Sequence, residues 1–296
     1  LESASVLSAT IGNMSAIRLG TRASTLATTQ SEMVAGLLRS EGLDVNLTTI
    51  TTHGDTSTAS LAAMGGIGVF ASAIRATLLK GEADIAVHSF KDLPTGRPLG
   101  LAIGAVPARA DPRDALVARD GLTLHDLPQE ASVGTGSPRR AAQLLAVRPD
   151  LTIVDIRGNV DTRLGRVKGL GHYAKGGGKE DLDAVVLAAS GLARLGHSGT
   201  VTEFLDPSVV LPAPAQGALA VECRTADSRH GKLAKALARI DDRRTRLAAT
   251  AERAVLSHLE AGCAAPIGAL AQLKPVSGSS PQVLTLDVVV ATVDGS

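Results

Sequence analysis

The chain has 296 residues, 44% of them hydrophobic and 20% charged, which suffices for two or three separate cores in a folded, water-soluble protein. A net charge of +1, with no Trp, one Tyr and three Phe, excludes both a polycationic field and a base-stacking platform, so no nucleic-acid partner is expected. No run approaches the roughly 18 apolar residues of a membrane span, and two cysteines are too few for a disulfide framework, so a cytoplasmic protein without a membrane partner is expected. The seven histidines show no paired ligand spacing, and no metal is expected. Residues 1–13 lack the basic and apolar regions of a secretory signal, which makes Met14 a candidate natural start.

In chain order, Ile17-Arg18-Leu19 reads as a buried strand, followed by the polar turn Gly20-Thr21-Arg22-Ala23-Ser24 and a helix carrying Leu26, Gln30, Met33, Val34, Leu37 and Leu38. Val45–Ile50 is a second strand. A long Gly/Ser/Thr/Ala tract from His53 to Gly68 then reads as a loop or lid. A helix over 70–79 leads to a strand at Ala83–Val87, which runs into His88-Ser89-Phe90-Lys91-Asp92-Leu93-Pro94. Such polar residues fall at the carboxyl end of a strand, where open α/β sheets bind ligands. After a strand at Leu101–Val106, Pro107–Asp114 reads as a hinge into a second domain.

The pattern then restarts. Ser132–Gly134 ends a strand, Thr135-Gly136-Ser137 turns, and Pro138-Arg139-Arg140 opens a helix carrying Leu144, Leu145 and Val147, an echo of the first unit. Strands follow at Thr152–Ile156, ending in Arg157-Gly158-Asn159 before a helix with Arg163, and at Ala184–Ala189, with Arg194 in the next helix. Between them Gly169–Asp181 is a surface excursion. Val209–Gly217 crosses back, Ala218–Val221 is a strand bearing Cys223, and a helix from Arg243 ends at Gly262 with Cys263 on the turn. The helix stripe Leu247, Ala251, Ala254, Val255 and Leu259 is expected to be its packed face, with strands near Ala269–Leu273 and Val283–Val290 after it.

Ser137 as N-cap, Pro138 at the first helical position and two arginines behind them suit a carboxylate or phosphate at the helix N-terminus. Arg22, Arg157, Arg163 and Arg194 also follow strand ends, which points to one small polyanion. No Gly-x-x-x-x-Gly-Lys-Ser/Thr is present to make it a nucleotide. Asp92 suits a turn cap or an acid/base group, Cys223 a core position, and Cys263 a presented thiol or a small turn residue.

Together, Leu19–Ser24, Val87–Pro94, Gly134–Arg140, Arg157–Arg163 and Leu259–Cys263 resemble the porphobilinogen deaminase (hydroxymethylbilane synthase) family, in order and in register. The resemblance implies an α/β fold of three domains, the first two similar to the lobes of type II periplasmic binding proteins and the third a small α/β domain carrying the cofactor cysteine. The expected divisions are 15–108 with 216–240, 113–211, and 243–296, and the family pattern continues through a further strand and helix beyond Ser296. It implies a transferase that condenses four porphobilinogen molecules head to tail into hydroxymethylbilane, releasing ammonia, on a dipyrromethane primer joined by a thioether to Cys263.

By the same resemblance Asp92 is catalytic. Lys91, Ser89, Thr135, Ser137, Arg139 and Arg140 hold the cofactor, and Arg22, Ser24, Gln30, Arg157, Arg163 and Arg194 hold substrate. Porphobilinogen is the expected partner of a monomer in tetrapyrrole and heme biosynthesis. Where many members of the family carry a loop lysine, this chain has Ile67. The rival expectations are a two-lobed small-anion-binding protein without catalysis and a cysteine-nucleophile enzyme. The second is disfavoured because a helix C-terminus raises a thiol pKa and Ala264-Ala265-Pro266 offer no cation.

Overall fold

The computed structural model describes residues 16–50, 68–96, 98–260, 265–275 and 282–292. Its first sheet is built from β1 (Ile17–Thr21), β2 (Val45–Thr49), β3 (Ile85–Ser89), β4 (Leu101–Ala105) and β10 (Leu219–Arg224), in the order β2-β1-β3-β10-β4. Its second is built from β5 (Asp114–Ala118), β6 (Ser132–Gly134), β7 (Thr152–Val154), β8 (Ala184–Ala188) and β9 (Glu203–Phe204), in the order β7-β6-β8-β5-β9. The two orders are the same pattern. In each, three parallel strands adjoin an antiparallel strand that follows a crossing from the other lobe: β10 against β3, and β5 against β8. The echo between Gly20-Thr21 and Gly134-Thr135 is therefore an echo of topology, with both pairs at the carboxyl ends of equivalent strands.

Helices α1 (Thr25–Ser40), α2 (Gly68–Leu79) and α6 (Gly231–Ile240) belong to the first lobe, and α3 (Pro138–Val147), α4 (Val160–Leu164) and α5 (Ala189–Arg194) to the second. Starts are set by side-chain caps where the sequence supplies them. Ser24 Oγ accepts from the Ala27 amide at 3.3 Å and Asn159 Oδ1 from Thr162 at 2.8 Å. One core holds Leu19, Val34, Leu38, Ile85, Val221 and Cys223; burial pushes the Cys223 thiol up to about 11, as suits a packing residue. Two further clusters flank the second sheet. Strands β5 and β9 and helix α6 went unassigned from sequence. β5 is buried throughout and so lacks the alternation that marks a strand, and β9 is two residues long.

The third unit consists of α7 (Arg243–His258) and the antiparallel hairpin β11 (Ile267–Pro275) and β12 (Gln282–Val290). Asp242 caps α7 through the Thr245 amide at 2.7 Å. The buried face of α7 differs from the expected stripe: Thr245, Ala248, Ala249, Glu252 and Leu256 are inside, while Leu247 is 41% and Leu259 51% exposed. The face is rotated because its centre is a buried carboxylate. Glu252 takes both guanidinium nitrogens of Arg109 at 2.6 and 2.9 Å, the Ala215 amide at 2.6 Å and the Ala271 amide at 2.8 Å. One side chain thus ties both crossings and β11 to α7. The helix also ends earlier than expected, at His258, and Glu260 takes the left-handed conformation at φ 49°. Gly262 and Cys263 lie outside the described residues.

The crossings run side by side, with the Ala110 amide donating to the Gly217 carbonyl at 3.3 Å. Gly217 sits at φ 86°, and a Cβ there would lie 2.5 Å from the Ala110 carbonyl oxygen, so only glycine permits the approach. Glu252→Gln would leave the Arg109 charge buried without its counter-ion. The expected cost is about 3–5 kcal/mol, read as a lower midpoint in urea denaturation, and a loss under about 1 kcal/mol would show that the carboxylate is not the tie.

Candidate active site between the lobes

The cleft between the lobes has about 650 Å³ of empty space, its open mouth included. Lys91 and Asp92 line it from the first lobe, Gly136, Ser137, Arg139 and Arg140 from the second, and Gln216 from a crossing. Leu256, Ala265 and Ile267 close it from the third unit. The site therefore requires all three parts of the chain.

Strand β3 delivers the first-lobe groups. Ser89 ends the strand and is bonded to Gln30 of α1, donating to Oε1 at 3.2 Å and accepting from Nε2 at 3.0 Å. Ser89 and Gln30 brace each other from strand to helix. The chain then enters a single 3-10 turn, Phe90–Asp92, whose first amide is held by the Ala218 carbonyl at 3.0 Å. Arg253 of α7 stacks on the Phe90 ring at 4.5 Å and donates to the Phe90, Leu93 and Pro94 carbonyls, clamping the turn from outside. Asp92 is exposed into the cleft. The Lys91 ammonium, half-buried by surface area but enclosed by both lobes, donates to Gln216 Oε1 at 3.1 Å, and burial brings its pKa down to about 8.

The second-lobe groups come from the N-terminus of α3. Ser137 occupies the N-cap position, yet its hydroxyl makes no cap bond; its own amide donates to Thr135 Oγ1 at 3.2 Å. Arg139 and Arg140 were expected as open anion donors. Both are buried instead and converge on Asp114, at 2.8 Å from Arg139 Nη2 to Oδ2 and 2.7 Å from Arg140 Nη2 to Oδ1. Burial by itself would raise the Asp114 carboxyl, but the two guanidiniums outweigh it and hold it well below the usual carboxylate range. Arg140 also donates to the Val186 carbonyl, and Arg139 to that of Leu211. Gln216 Nε2 joins Asp114 at 2.8 Å, so the path Lys91–Gln216–Asp114–Arg140 spans the lobes.

The remaining arginines differ in setting. Arg163 on α4 donates to the Gly158 carbonyl at 2.9 Å; burial and the neighbouring Arg140 and Arg157 lower its pKa, while Asp92 across the cleft opposes that shift. Arg157 is 56% exposed and lies 3.3 Å from Asp155. Arg194 donates to the Gly217 carbonyl at 2.7 Å, bridging α5 to a crossing, and burial lowers its pKa. Arg22 follows β1 at the carboxyl edge of the first sheet, and Ser24 is taken up by its cap. The His53–Ile67 tract and Cys263 lie outside the described residues. Sequence reasoning missed Asp114 and Gln216. Asp114 stood in an apparent hinge, and nothing local marks a carboxylate whose partners lie 25 and 26 residues away.

The lining fits a small polycarboxylate. Among the described lining residues Lys91, Arg139 and Arg140 are the cations and Asp92 the acid, and Arg139 Nε and Arg194 Nε are buried without a hydrogen-bond partner among the described residues. No group of three or more metal-ligating side chains occurs among the described residues, and no described helix is long and apolar enough to cross a membrane.

A family model described as "Porphobilinogen deaminase, dipyromethane cofactor binding domain" matches residues 17–232, and one described as "Porphobilinogen deaminase, C-terminal domain" matches residues 246–296. A porphobilinogen deaminase of Cutibacterium acnes is 97% identical over 283 residues, covering 96% of this chain and 85% of that protein. One of Micrococcus luteus is 54% identical over 302 residues, covering 96% and 80%. A periplasmic substrate-binding protein of an ABC transporter from Coxiella burnetii superposes with a TM-score of 0.45 at 17% identity, over 80% of this chain and 95% of that one. The chain belongs to the porphobilinogen deaminase family.

Proposed function

We propose that this chain is a hydroxymethylbilane synthase, condensing four porphobilinogen molecules head to tail with release of ammonia, and that the cleft between the lobes is its one reaction site. The observation that carries the reading is the cleft itself: Asp92 stands exposed within it, facing cations from the opposite lobe, and its far wall is Ala265, two residues along the chain from Cys263. A dipyrromethane joined to Cys263 would supply the free pyrrole carbon onto which the first unit is added, each later unit adding to the ring before it. The side chains that would hold its acetates and propionates are Lys91, Arg139, Arg140 and Ser137, with Ser89 and Thr135 beside them. Arg22, Arg157, Arg163 and Arg194, with Ser24 and Gln30, would orient incoming porphobilinogen.

Asp92 has the exposure and the position for proton work. Its carboxylate would hold pyrrole N–H groups while the protonated amine of porphobilinogen departs as ammonia and positive charge develops on the methylene-bearing ring; once the acceptor ring carbon has bonded to that methylene, the carboxylate would accept the proton the carbon loses. Lys91 beside it stays cationic through neutral pH and would keep a cofactor carboxylate next to the reacting centre. We assign the units as 15–108 with 216–240, 113–211 and 243–296, acting as a cytoplasmic monomer.

Three outcomes test this. Intact-mass measurement of purified protein should show an adduct of dipyrromethane size that disappears in Cys263→Ser; a fully active, unmodified protein would sink the proposal. Asp92→Ala should keep its melting temperature and lose at least about 100-fold in kcat, the usual range for a lost acid/base group, and near-normal turnover would remove the catalytic role. Because Lys91 carries its charge below about pH 8 and loses it above, its hold on a cofactor carboxylate should weaken and kcat should fall as pH passes through about 8. Lys91→Arg should abolish that inflection, and an unchanged profile in the variant would place the titration elsewhere.

A further inference from the structure

Outside the cleft, one side-chain cluster touches an element that carries a site arginine. Helix α5 ends in a paired hydrogen-bond cap: the His197 amide donates to the Leu192 carbonyl at 2.8 Å and the Gly196 amide to the Ala193 carbonyl at 3.1 Å, with Gly196 at φ 78°. That left-handed glycine turns the chain back on itself and fixes where His197 leaves the helix. Its Nε2 lies 2.7 Å from Asp161 Oδ1 on α4. Since a carboxylate only accepts, the imidazole N–H donates. Tyr173 packs edge-on against the His197 ring at 5.1 Å, and His172 stacks on Tyr173 at 4.4 Å.

Tyr173 belongs to the excursion between α4 and β8, which is far from a slack loop. Arg166 and Asp181 pair across its base, Val167 and Leu182 form a bridge, and the Glu180 carboxylate accepts from the Gly169 and Gly171 amides at 2.8 and 3.1 Å. The excursion therefore presents Tyr173 as a fixed wall for the imidazole. Helix α4 is one turn of five residues and cannot hold its own place by helical cooperativity. Asp161 is two residues before Arg163, whose guanidinium reaches the electrostatic neighbourhood of Asp92. The His197 side chain is 19% exposed and is not among the described residues that line the cleft.

We infer that His197, seated by Tyr173 and bonded to Asp161, is a positioning residue that holds α4 in place so that Arg163 meets the substrate carboxylate. The role of Arg163 in substrate binding rests on the function proposed above. His197→Ala should raise KM for porphobilinogen about 5- to 10-fold, the size of one ordinary net hydrogen bond, with kcat within about twofold and the intact-mass adduct retained. His197→Gln, which can place an N–H near the same point, should restore KM, and Asp161→Asn decides the matter if His197→Ala does not fold.

A readout free of turnover is labelling of Arg163 by phenylglyoxal, followed by peptide mass. The rate should change severalfold in His197→Ala and return in His197→Gln. A lowered melting temperature with unchanged KM and unchanged Arg163 labelling would overturn the inference. If the wild-type protein neither carries the adduct nor turns over, the functional reading fails, and Arg163 labelling alone decides the positioning role.

Discussion

Glu252 holds the molecule together. Its carboxylate is fully buried, and all of its hydrogen bonds run to segments distant in sequence: Arg109 and Ala215 in the two crossings and Ala271 in β11. A buried charge is tolerated only where paired and hydrogen-bonded, so these partners must be present together or the fold bears an orphaned ion. That condition joins the two lobes and the third unit at one point beneath the cleft. It also keeps the far wall of the site, Ala265 and Ile267, in register with the crossings, because β11 begins there.

Asp114 does comparable work one layer nearer the ligand. By engaging Arg139 and Arg140, it turns two long, mobile cations into a rigid wall and leaves the buried Arg139 Nε as a donor awaiting an acceptor. The guanidinium forks lose little further freedom when an anion arrives, which favours affinity through preorganisation. Gln216 then connects that wall to Lys91, beside Asp92 on the same turn. Arg253 clamps the same turn from the third unit. The turn that carries Asp92 is thereby held from a crossing and from the third unit, while Asp92 itself remains exposed.

Much of the site was legible in local sequence, since strand-end turns carry their signals within a few residues. Ser89-Phe90-Lys91-Asp92 after a buried strand, and Thr135-Gly136-Ser137-Pro138-Arg139-Arg140 before an amphipathic helix, both stand where expected, at the carboxyl ends of β3 and β6. What misled was polarity inside an apolar pattern. The face of α7 was assigned to Leu247 and Leu259 because its actual centre, Glu252, looks like a surface residue until its partners are known. Asp114, at the head of a continuously buried strand, looked like part of a linker for the same reason.

The sequence by itself determined most of the alternation of strands and helices, the punctuation at the two crossings and the family. These depend on backbone preferences and side-chain chemistry over a few residues. Tertiary structure alone decided which charged groups are spent on the protein and which are left for a ligand. The partners of Asp114, Glu252 and His197 lie tens of residues away or more, and a carboxylate or imidazole reveals its role only when folding sets its neighbours around it.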